Sequence, residues 1–228
     1  MSSDHFDSVA LMDQRLLMLL TYYPVFLISL TIHEFSHGFV ALRKGDDTAK
    51  LSGRLTLNPI AHIDPIGTVF FPIFSILFGG IYFAWAKPVP VNPLHFKDRR
   101  RDMFWVSLAG PLSNFIFAFF SAWIYGLAQS FGGNVFDEVM KKIILDLSHM
   151  AIYLNLSLFF FNLIPISPLD GAKVLARFLP EKANHFLESI HPLYGGMILM
   201  FLLISGLMDY IAIPIFTVGH WMQGLFIF

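Results

Sequence analysis

The sequence predicts an all-α polytopic membrane protein with four to six transmembrane helices, a small membrane-associated β-hairpin and a re-entrant segment. Hydrophobic residues make up 56% of the chain and charged residues 14%, whereas soluble domains average about 45–50% apolar and about 25% charged residues. Uncharged runs also reach the roughly 20 residues that a helix needs to cross a bilayer. We therefore expect a single integral-membrane domain over residues 1–228, with its core at about 16–178 and further membrane segments at about 192–228.

Four apolar stretches predict the firm spans. They are about Leu16–Leu42, Met103–Ala128, His149–Ile166 and Pro192–Leu207. Pro24 either kinks the first span or marks its beginning. The acidic first fourteen residues and the length of the apolar run after them do not fit a cleavable signal peptide. The apolar tail, Met208–Phe228, contains Asp, Pro and Gly residues, so its sequence leaves open whether it continues the fourth span or forms a further segment.

The segment after the first span, residues 46–59, predicts a short strand or hairpin. Leucines at positions 51, 55 and 57 alternate with polar residues, and Gly53 interrupts the pattern. A period of two is typical of a strand that presents two different faces. A plain surface loop is the alternative interpretation.

The next apolar stretch, Ile66–Ala86, predicts a re-entrant segment. It contains Pro72 and is broken at Gly79–Gly80. If it enters the membrane and returns to a cytoplasmic side, then all but three of the 15 Lys and Arg residues (Arg15, Lys141 and Lys142) lie on that side. Such a bias is the rule for cytoplasmic loops. We therefore expect a multi-pass protein of the cytoplasmic membrane, and a full span here would weaken the bias.

A potential metal motif lies in the second half of the first span. His33 and His37 are four residues apart and so share one face of a helix, while Glu34 is adjacent. The H-E-x-x-H pattern is a zinc-hydrolase signature, in which the two histidines bind the metal and the glutamate is the general base. The alternative is a pair of buried histidines bonded to backbone carbonyls, with Glu34 paired to one of them. Ionisable groups at membrane depth each cost about 2.5 kcal/mol or more, which favours a functional role.

A catalytic zinc usually has three protein ligands. The chain has no Cys, so the third ligand must be a carboxylate or another histidine. We predict Asp170, because it follows two prolines at the end of the third span, on the cytoplasmic side. The alternatives are Asp64, His62, His95 and Asp209. The prediction is one Zn²⁺ per chain, towards the cytoplasmic face.

Three motifs together resemble the site-2 protease family of intramembrane zinc metalloproteases. They are H-E-F-S-H at 33–37, A-G-P-L-S-N at 109–114 and N-L-I-P-I-S-P-L-D-G at 162–171. The resemblance covers about Leu16–Phe178 and fits a compact prokaryotic member without PDZ or CBS domains. It implies that His33, His37 and Asp170 bind zinc and that Glu34 is the catalytic acid/base. It also implies that Asn162 contacts the substrate or transition state, and that a membrane-embedded β-hairpin follows the first motif.

The resemblance implies an endopeptidase that cuts transmembrane proteins in regulated intramembrane proteolysis. We expect an unwound substrate strand to pair with the edge Leu51–Leu57. Asn114 is a further candidate for a substrate contact, with helix packing as its alternative role. The expected partners are a transmembrane substrate and the lipid bilayer; no basic arm indicates nucleic acid, and no regulator can be named. The alternative functions are a non-proteolytic membrane metal-binding or scaffold protein, and a transporter or channel.

Overall fold

The computed structural model describes residues 3–78, 84–184, 192–207 and 209–227. In this part of the chain, three helices are long and apolar enough to cross a membrane: Leu19–Arg43, Arg99–Gly133 and Glu138–Asn162. A pair of helices bent by 76°, Tyr194–Ile204 and Asp209–Leu225, adds a fourth span if the pair crosses as one unit. The all-α membrane architecture is confirmed. The predicted number of four to six spans is not confirmed.

The described residues form eight helices that carry the fold. In chain order they are α1 (Ser3–Arg43), α2 (Thr48–Leu51), α3 (Phe71–Phe78), α4 (Arg99–Val135), α5 (Glu138–Asn162), α6 (Asp170–Ala176), α7 (Pro192–Ile204) and α8 (Asp209–Leu225). Shorter helical turns cover Pro59–His62, Pro65–Phe70 and Pro93–His95. Pro24 lies within α1 and so does not mark its beginning. Only two residues join α4 to α5. The second of them, Asp137, caps α5, because its carboxylate accepts a hydrogen bond from Met140 N at 2.7 Å.

The apolar core lies where α4, α5 and α8 pack together. It consists of Ala118 and Ala122 from α4, Ile152 and Leu156 from α5, and Met222 from α8, all fully buried. Alanines let neighbouring helices approach closely, which is how helices associate within a membrane. α1 packs against both α4 and α5. The second half of α1 therefore faces the start of α4 and the end of α5.

The predicted strand or hairpin over residues 46–59 is wrong for this structure. Thr48–Leu51 is a helical turn, and residues 52–58 form turns and irregular backbone. Hydrogen bonds from Leu51 N to Asp47 O and from Arg54 N to Ala49 O close these turns locally. The alternating leucines also do not share a buried face, since Leu51 and Leu57 are 78% and 59% exposed. The predicted substrate edge, Leu51–Leu57, is therefore absent.

The segment between residues 62 and 87 returns to the place where it began. The Trp85 N–H donates to Gly67 O at 3.2 Å, and the Lys87 N–H donates to His62 O at 3.0 Å. Between these points, the turn Pro65–Phe70 leads into α3. The predicted break at Gly79–Gly80 lies outside the described residues. Both ends of the segment thus lie side by side.

Candidate metal centre

The two histidines of the H-E-x-x-H motif converge with Asp170. His33 Nε2 lies 3.1 Å from His37 Nε2. Asp170 Oδ2 lies 3.3 Å from the first of these nitrogens and 3.2 Å from the second. Both histidines are buried and Asp170 is nearly so. Three potential ligand atoms, delivered by α1 and α6, thus form one compact triangle.

The remaining ring nitrogens fix how each imidazole faces this triangle. His37 Nδ1 lies 2.7 Å from Val106 O, which can only accept, so Nδ1 carries the proton and donates. His33 Nδ1 likewise lies 2.6 Å from Asn114 Oδ1. Both Nε2 atoms then present lone pairs to the Asp170 carboxylate. Three acceptor atoms this close repel one another unless a cation lies among them.

The geometry of this triangle fits zinc. Zinc–ligand bonds of about 2.0–2.2 Å in a tetrahedral site place ligand atoms roughly 3.3–3.6 Å apart. The three separations of 3.1, 3.2 and 3.3 Å are close to these values. Two imidazoles and one carboxylate are also a usual ligand set for a catalytic zinc, leaving one position for water. The residues present therefore fit the metal.

The chain brings Asp170 to the histidines by ending α5 early. α5 ends at Asn162, and Pro165 and Pro168 prevent its continuation. α6 then begins at Asp170. Gly171 packs so closely on Leu163 O that a β-carbon has no room there. At the other end of α6, the Arg100 guanidinium donates to two backbone carbonyls, Ala176 O and Leu179 O.

Gly110 on α4 provides the space for both imidazole rings. A β-carbon at this position would overlap the His37 ring and lie 2.7 Å from His33 Cε1. Real β-carbon contacts essentially never fall below 3.0 Å. Gly110 therefore lets α4 approach α1 at the metal site, which is the structural reason for a glycine in the second motif.

Glu34 is held by a segment that we call the strap, residues 85–92. The Val89 N–H donates to Glu34 Oε2 at 2.8 Å, and Glu34 is 9% exposed. The strap is tied down on both sides of this contact, by Lys87 N to His62 O and by Asn92 N to Asp46 Oδ2 at 2.7 Å. The Glu34 carboxylate, next in sequence to His33, is thus oriented by a backbone amide.

Asp46 is the anchor of the strap. Its buried carboxylate accepts hydrogen bonds from Thr48 N, Asn92 N and His95 Nδ1. Burial alone would raise the pKa of Asp46, but hydrogen bonds from Thr48, Asn92 and His95 outweigh burial and lower that pKa below its usual value. The carboxylate is therefore ionised at neutral pH and holds the strap most strongly in that form.

The alternative third ligands are engaged elsewhere. Among the described residues, the only other group of potential metal ligands is Asp46, Asp47 and His95. The Asp64 carboxylate accepts from Ile66 N and Gly67 N, and His62 Nε2 donates to Thr56 O. Asp209 begins α8 and joins neither group. Of the five candidates, the structure brings only Asp170 to the histidines.

The two asparagines occupy different positions. Asn162 Nδ2 donates to Leu158 O at 2.9 Å, a bond within its own helix. Asn114 is fully buried, and its amide is bonded to His33, Ser29 and Asn155. A direct substrate contact predicted for Asn114 does not fit this position, because its amide has no polar atom left to offer.

Four contributors to the site were not predicted. They are Val106 O, the Val89 N–H, Arg100 and Asn155. The first two act through backbone atoms, so their side chains gave no signal. Asn155 did offer one, because it is a polar residue within the apolar third span, where buried polar groups are costly.

Comparison with known proteins gives consistent matches. The profile of peptidase family M50 matches residues 22–205. "Putative zinc metalloprotease YwhC" of Bacillus subtilis (strain 168) is 39% identical over 208 residues, which are 87% of this chain and 91% of that protein. "Putative zinc metalloprotease Rip2" is 31% identical in Mycolicibacterium smegmatis, over 78% of this chain and 64% of the relative. The protein of the same name in Mycobacterium tuberculosis (strain H37Rv) is 31% identical over 87% and 71%, respectively. No solved structure gives a significant match.

Proposed function

The chain belongs to peptidase family M50, the site-2 protease family of intramembrane zinc metalloproteases, and we propose that His33, His37 and Asp170 bind its zinc. The observation that carries this assignment is the triangle of acceptor atoms, with sides of 3.1–3.3 Å. Both Nδ1 atoms donate to oxygens of α4, which leaves each Nε2 free to bind a metal. Zinc is the cofactor named for the relatives.

When bound, zinc supplies the Lewis acidity that activates a water molecule for attack on a peptide carbonyl. Glu34 takes the proton of the attacking water and passes it to the leaving amine. The Val89 N–H holds one carboxylate oxygen, Oε2, so that Oε1 is left to exchange the proton. Burial of both histidines and Glu34 keeps competing water away from the reacting groups.

We assign Asn162 to the substrate carbonyl that becomes negatively charged in the transition state. It lies at the end of α5, at the start of the motif that delivers Asp170. Among the described residues, its amide nitrogen donates to Leu158 O of its own helix, and it can exchange that bond for one to the substrate. Loss of one such donor costs about 2.7–4 kcal/mol in other hydrolases.

The substrate is a transmembrane protein, and the site opens towards the cytoplasmic side of the cytoplasmic membrane. The distribution of Lys and Arg supports this orientation. The re-entrant path of residues 66–86 is supported by the neighbouring positions of its two ends, at Gly67 and Trp85. α7 and α8 together form a fourth span, and Met222 of α8 joins the core of α4 and α5. Residues 1–228 therefore act as one catalytic domain.

Two variants of the full-length protein in lipid nanodiscs test this proposal. His33→Ala should lose the stoichiometric zinc that the wild type retains, as measured by metal analysis after dialysis. Glu34→Gln should keep the zinc and cleave a co-reconstituted transmembrane substrate at least about a hundredfold more slowly, because it lacks the general base.

A matched control is His220→Ala, because His220 is exposed on α8 and its ring contacts Phe216 O and the Tyr153 hydroxyl, neither of which belongs to the ligand triangle. It should keep both zinc and activity. Wild-type zinc content in His33→Ala, or wild-type cleavage by Glu34→Gln, would show that these residues do not have the proposed roles.

A further inference from the structure

A chain of buried amides extends from His33 across the membrane-spanning bundle. Asn114 Oδ1 accepts a hydrogen bond from His33 Nδ1–H, and Asn114 Nδ2 donates to Asn155 Oδ1 at 2.8 Å. Asn155 Nδ2 in turn donates to Ser29 Oγ at 2.9 Å. We call these three residues, Ser29, Asn114 and Asn155, the amide relay. They come from α1, α4 and α5, the three helices that meet at the site.

The hydrogen bonds of the relay are complete. The second proton of Asn114 Nδ2 goes to Ser29 O, and that of Asn155 Nδ2 goes to Ala151 O. Ser29 Oγ donates to Val25 O. All three residues have no exposed surface. Each amide can therefore point in only one direction, because a flipped amide would place two donors or two acceptors face to face.

The fixed direction of these amides also determines the orientation of His33, the proposed metal ligand. Since both protons of Asn114 Nδ2 are committed, its Oδ1 must face His33. That oxygen accepts only from a protonated Nδ1, which leaves His33 Nε2 deprotonated and directed at His37 and Asp170. Asn155 fixes Asn114, and Asn114 fixes the tautomer and orientation of the ligand.

We propose that Asn155 is a positioning residue for zinc binding, acting on His33 through Asn114 from outside all three sequence motifs. This inference rests on the proposed role of His33 as a zinc ligand. None of the hydrogen bonds given for Asn155 reaches the ligand triangle or Glu34. Its effect must therefore pass through Asn114 and appear first in the affinity for zinc.

The experiment measures zinc affinity of the full-length protein by competition with a chelator. Asn155→Leu, which removes all hydrogen-bonding atoms at similar size, should weaken zinc binding about tenfold, at the lower end of the effect known for groups that orient metal-binding histidines. Asn114→Leu should weaken it more, up to about a hundredfold. The double variant should be no weaker than Asn114→Leu alone, because the two residues act in series.

A control variant separates positioning from general damage to α5. Ser148→Ala removes a buried hydroxyl of α5, whose partners among the described residues are two carbonyls of its own helix, Ile144 O and Leu145 O. It should retain the wild-type zinc affinity. If Asn155→Leu does not fold, Ser29→Ala tests the same relay. It removes the hydroxyl that accepts from Asn155 Nδ2 and donates to Val25 O within α1, and it should weaken zinc binding in the same direction.

The outcomes distinguish this inference from the proposed site. Zinc affinities within about twofold of wild type for both Asn155→Leu and Ser29→Ala, with zinc lost from His33→Ala, would overturn the relay and keep the metal site. Additive effects of the Asn114 and Asn155 substitutions would also overturn it. Wild-type zinc binding by His33→Ala would instead remove the assignment on which the relay depends.

Discussion

His33 and Glu34 are neighbours in the sequence, yet the structure holds their side chains by different means. His33 is oriented by side-chain amides, which are buried between long helices. Glu34 is oriented by one backbone N–H of the strap, residues 85–92, which has no regular secondary structure around Val89. The first arrangement depends on helix packing within the bundle, and the second depends on a short segment anchored at its ends.

With the roles proposed for His33 and Glu34, this difference separates metal binding from proton transfer. Changes on the helical side should alter zinc affinity first, because they move a ligand. Changes in the strap should alter the rate of cleavage and leave zinc bound, because they move only the general base. Each of the following predictions tests one side of that comparison.

The largest effect is expected for Gly110→Ala. The added methyl group overlaps the ring of His37 and crowds His33, so the ligands cannot keep their positions and zinc affinity should fall by at least about a hundredfold. Metal analysis measures the zinc content of the variant, and chelator competition measures its zinc affinity. Gly133→Ala is the control on the same helix, since its nearest atom lies 3.7 Å from the added carbon. Equal zinc affinity in the two variants would contradict the packing argument.

Val89→Pro should slow cleavage while zinc remains bound. Proline removes the N–H that donates a hydrogen bond to Glu34. The neighbouring prolines at 88 and 90 favour a backbone that proline can adopt. A hydrogen bond to a charged group contributes about 1.5–3 kcal/mol, so kcat should fall roughly 10- to 100-fold with KM little changed.

Val89→Ala is the matched control for this substitution. It keeps the N–H and loses only the side-chain packing near Gly38, so its kcat should stay near the wild-type value. If Val89→Pro lowers the zinc affinity as much as it lowers kcat, the strap does not act on Glu34 separately from the metal ligands.

Arg100→Met should weaken zinc binding by a smaller factor. The guanidinium caps the carbonyl end of α6, and Asp170 is the first residue of that helix. Without the cap we expect α6 to shift more freely and the zinc affinity to fall about fivefold, below the range for groups that contact a ligand directly. Arg99→Met is the control, since Arg99 is exposed next to Arg100. An unchanged affinity in Arg100→Met would show that α6 needs no cap.

The smallest effect concerns pH and the strap anchor. Because the pKa of Asp46 is lowered in the folded protein, its carboxylate stabilises the fold fully above the unfolded-state pKa of about 4, and this contribution is lost as the pH falls through the lowered pKa. Thermal unfolding of wild type and Asp46→Asn should therefore differ by about 1 kcal/mol at neutral pH and converge in acid. If the difference in stability between wild type and Asp46→Asn grows as the pH falls, the pKa of Asp46 is not lowered in the folded protein.

Much of the site could be predicted from the sequence because its signals are local. The spacing of His33 and His37 sets their common helix face, and the two prolines before Asp170 set where α5 must end. The alternating leucines of residues 46–59 misled because alternation predicts a strand only when one face is buried, and here Leu51 and Leu57 are both exposed. The sequence left two roles open for Asn114, because a motif does not show whether a polar residue faces the substrate or a neighbouring helix, and the hydrogen bonds of its amide favour the packing role.

The sequence by itself predicted the membrane class, the metal motif, Glu34 as the proposed general base and Asp170 as the carboxylate that lies beside the two histidines. These follow from hydrophobicity, helical periodicity and the chemistry of His, Glu and Asp, which act over a few residues. Only the tertiary structure connected His33 through Asn114 to Asn155, which is 122 positions away from His33 in the chain. It also placed a backbone amide of the strap against Glu34. The first contact depends on how separate helices pack in space. The second uses a backbone N–H, which every residue except proline has, so the sequence pattern does not indicate it.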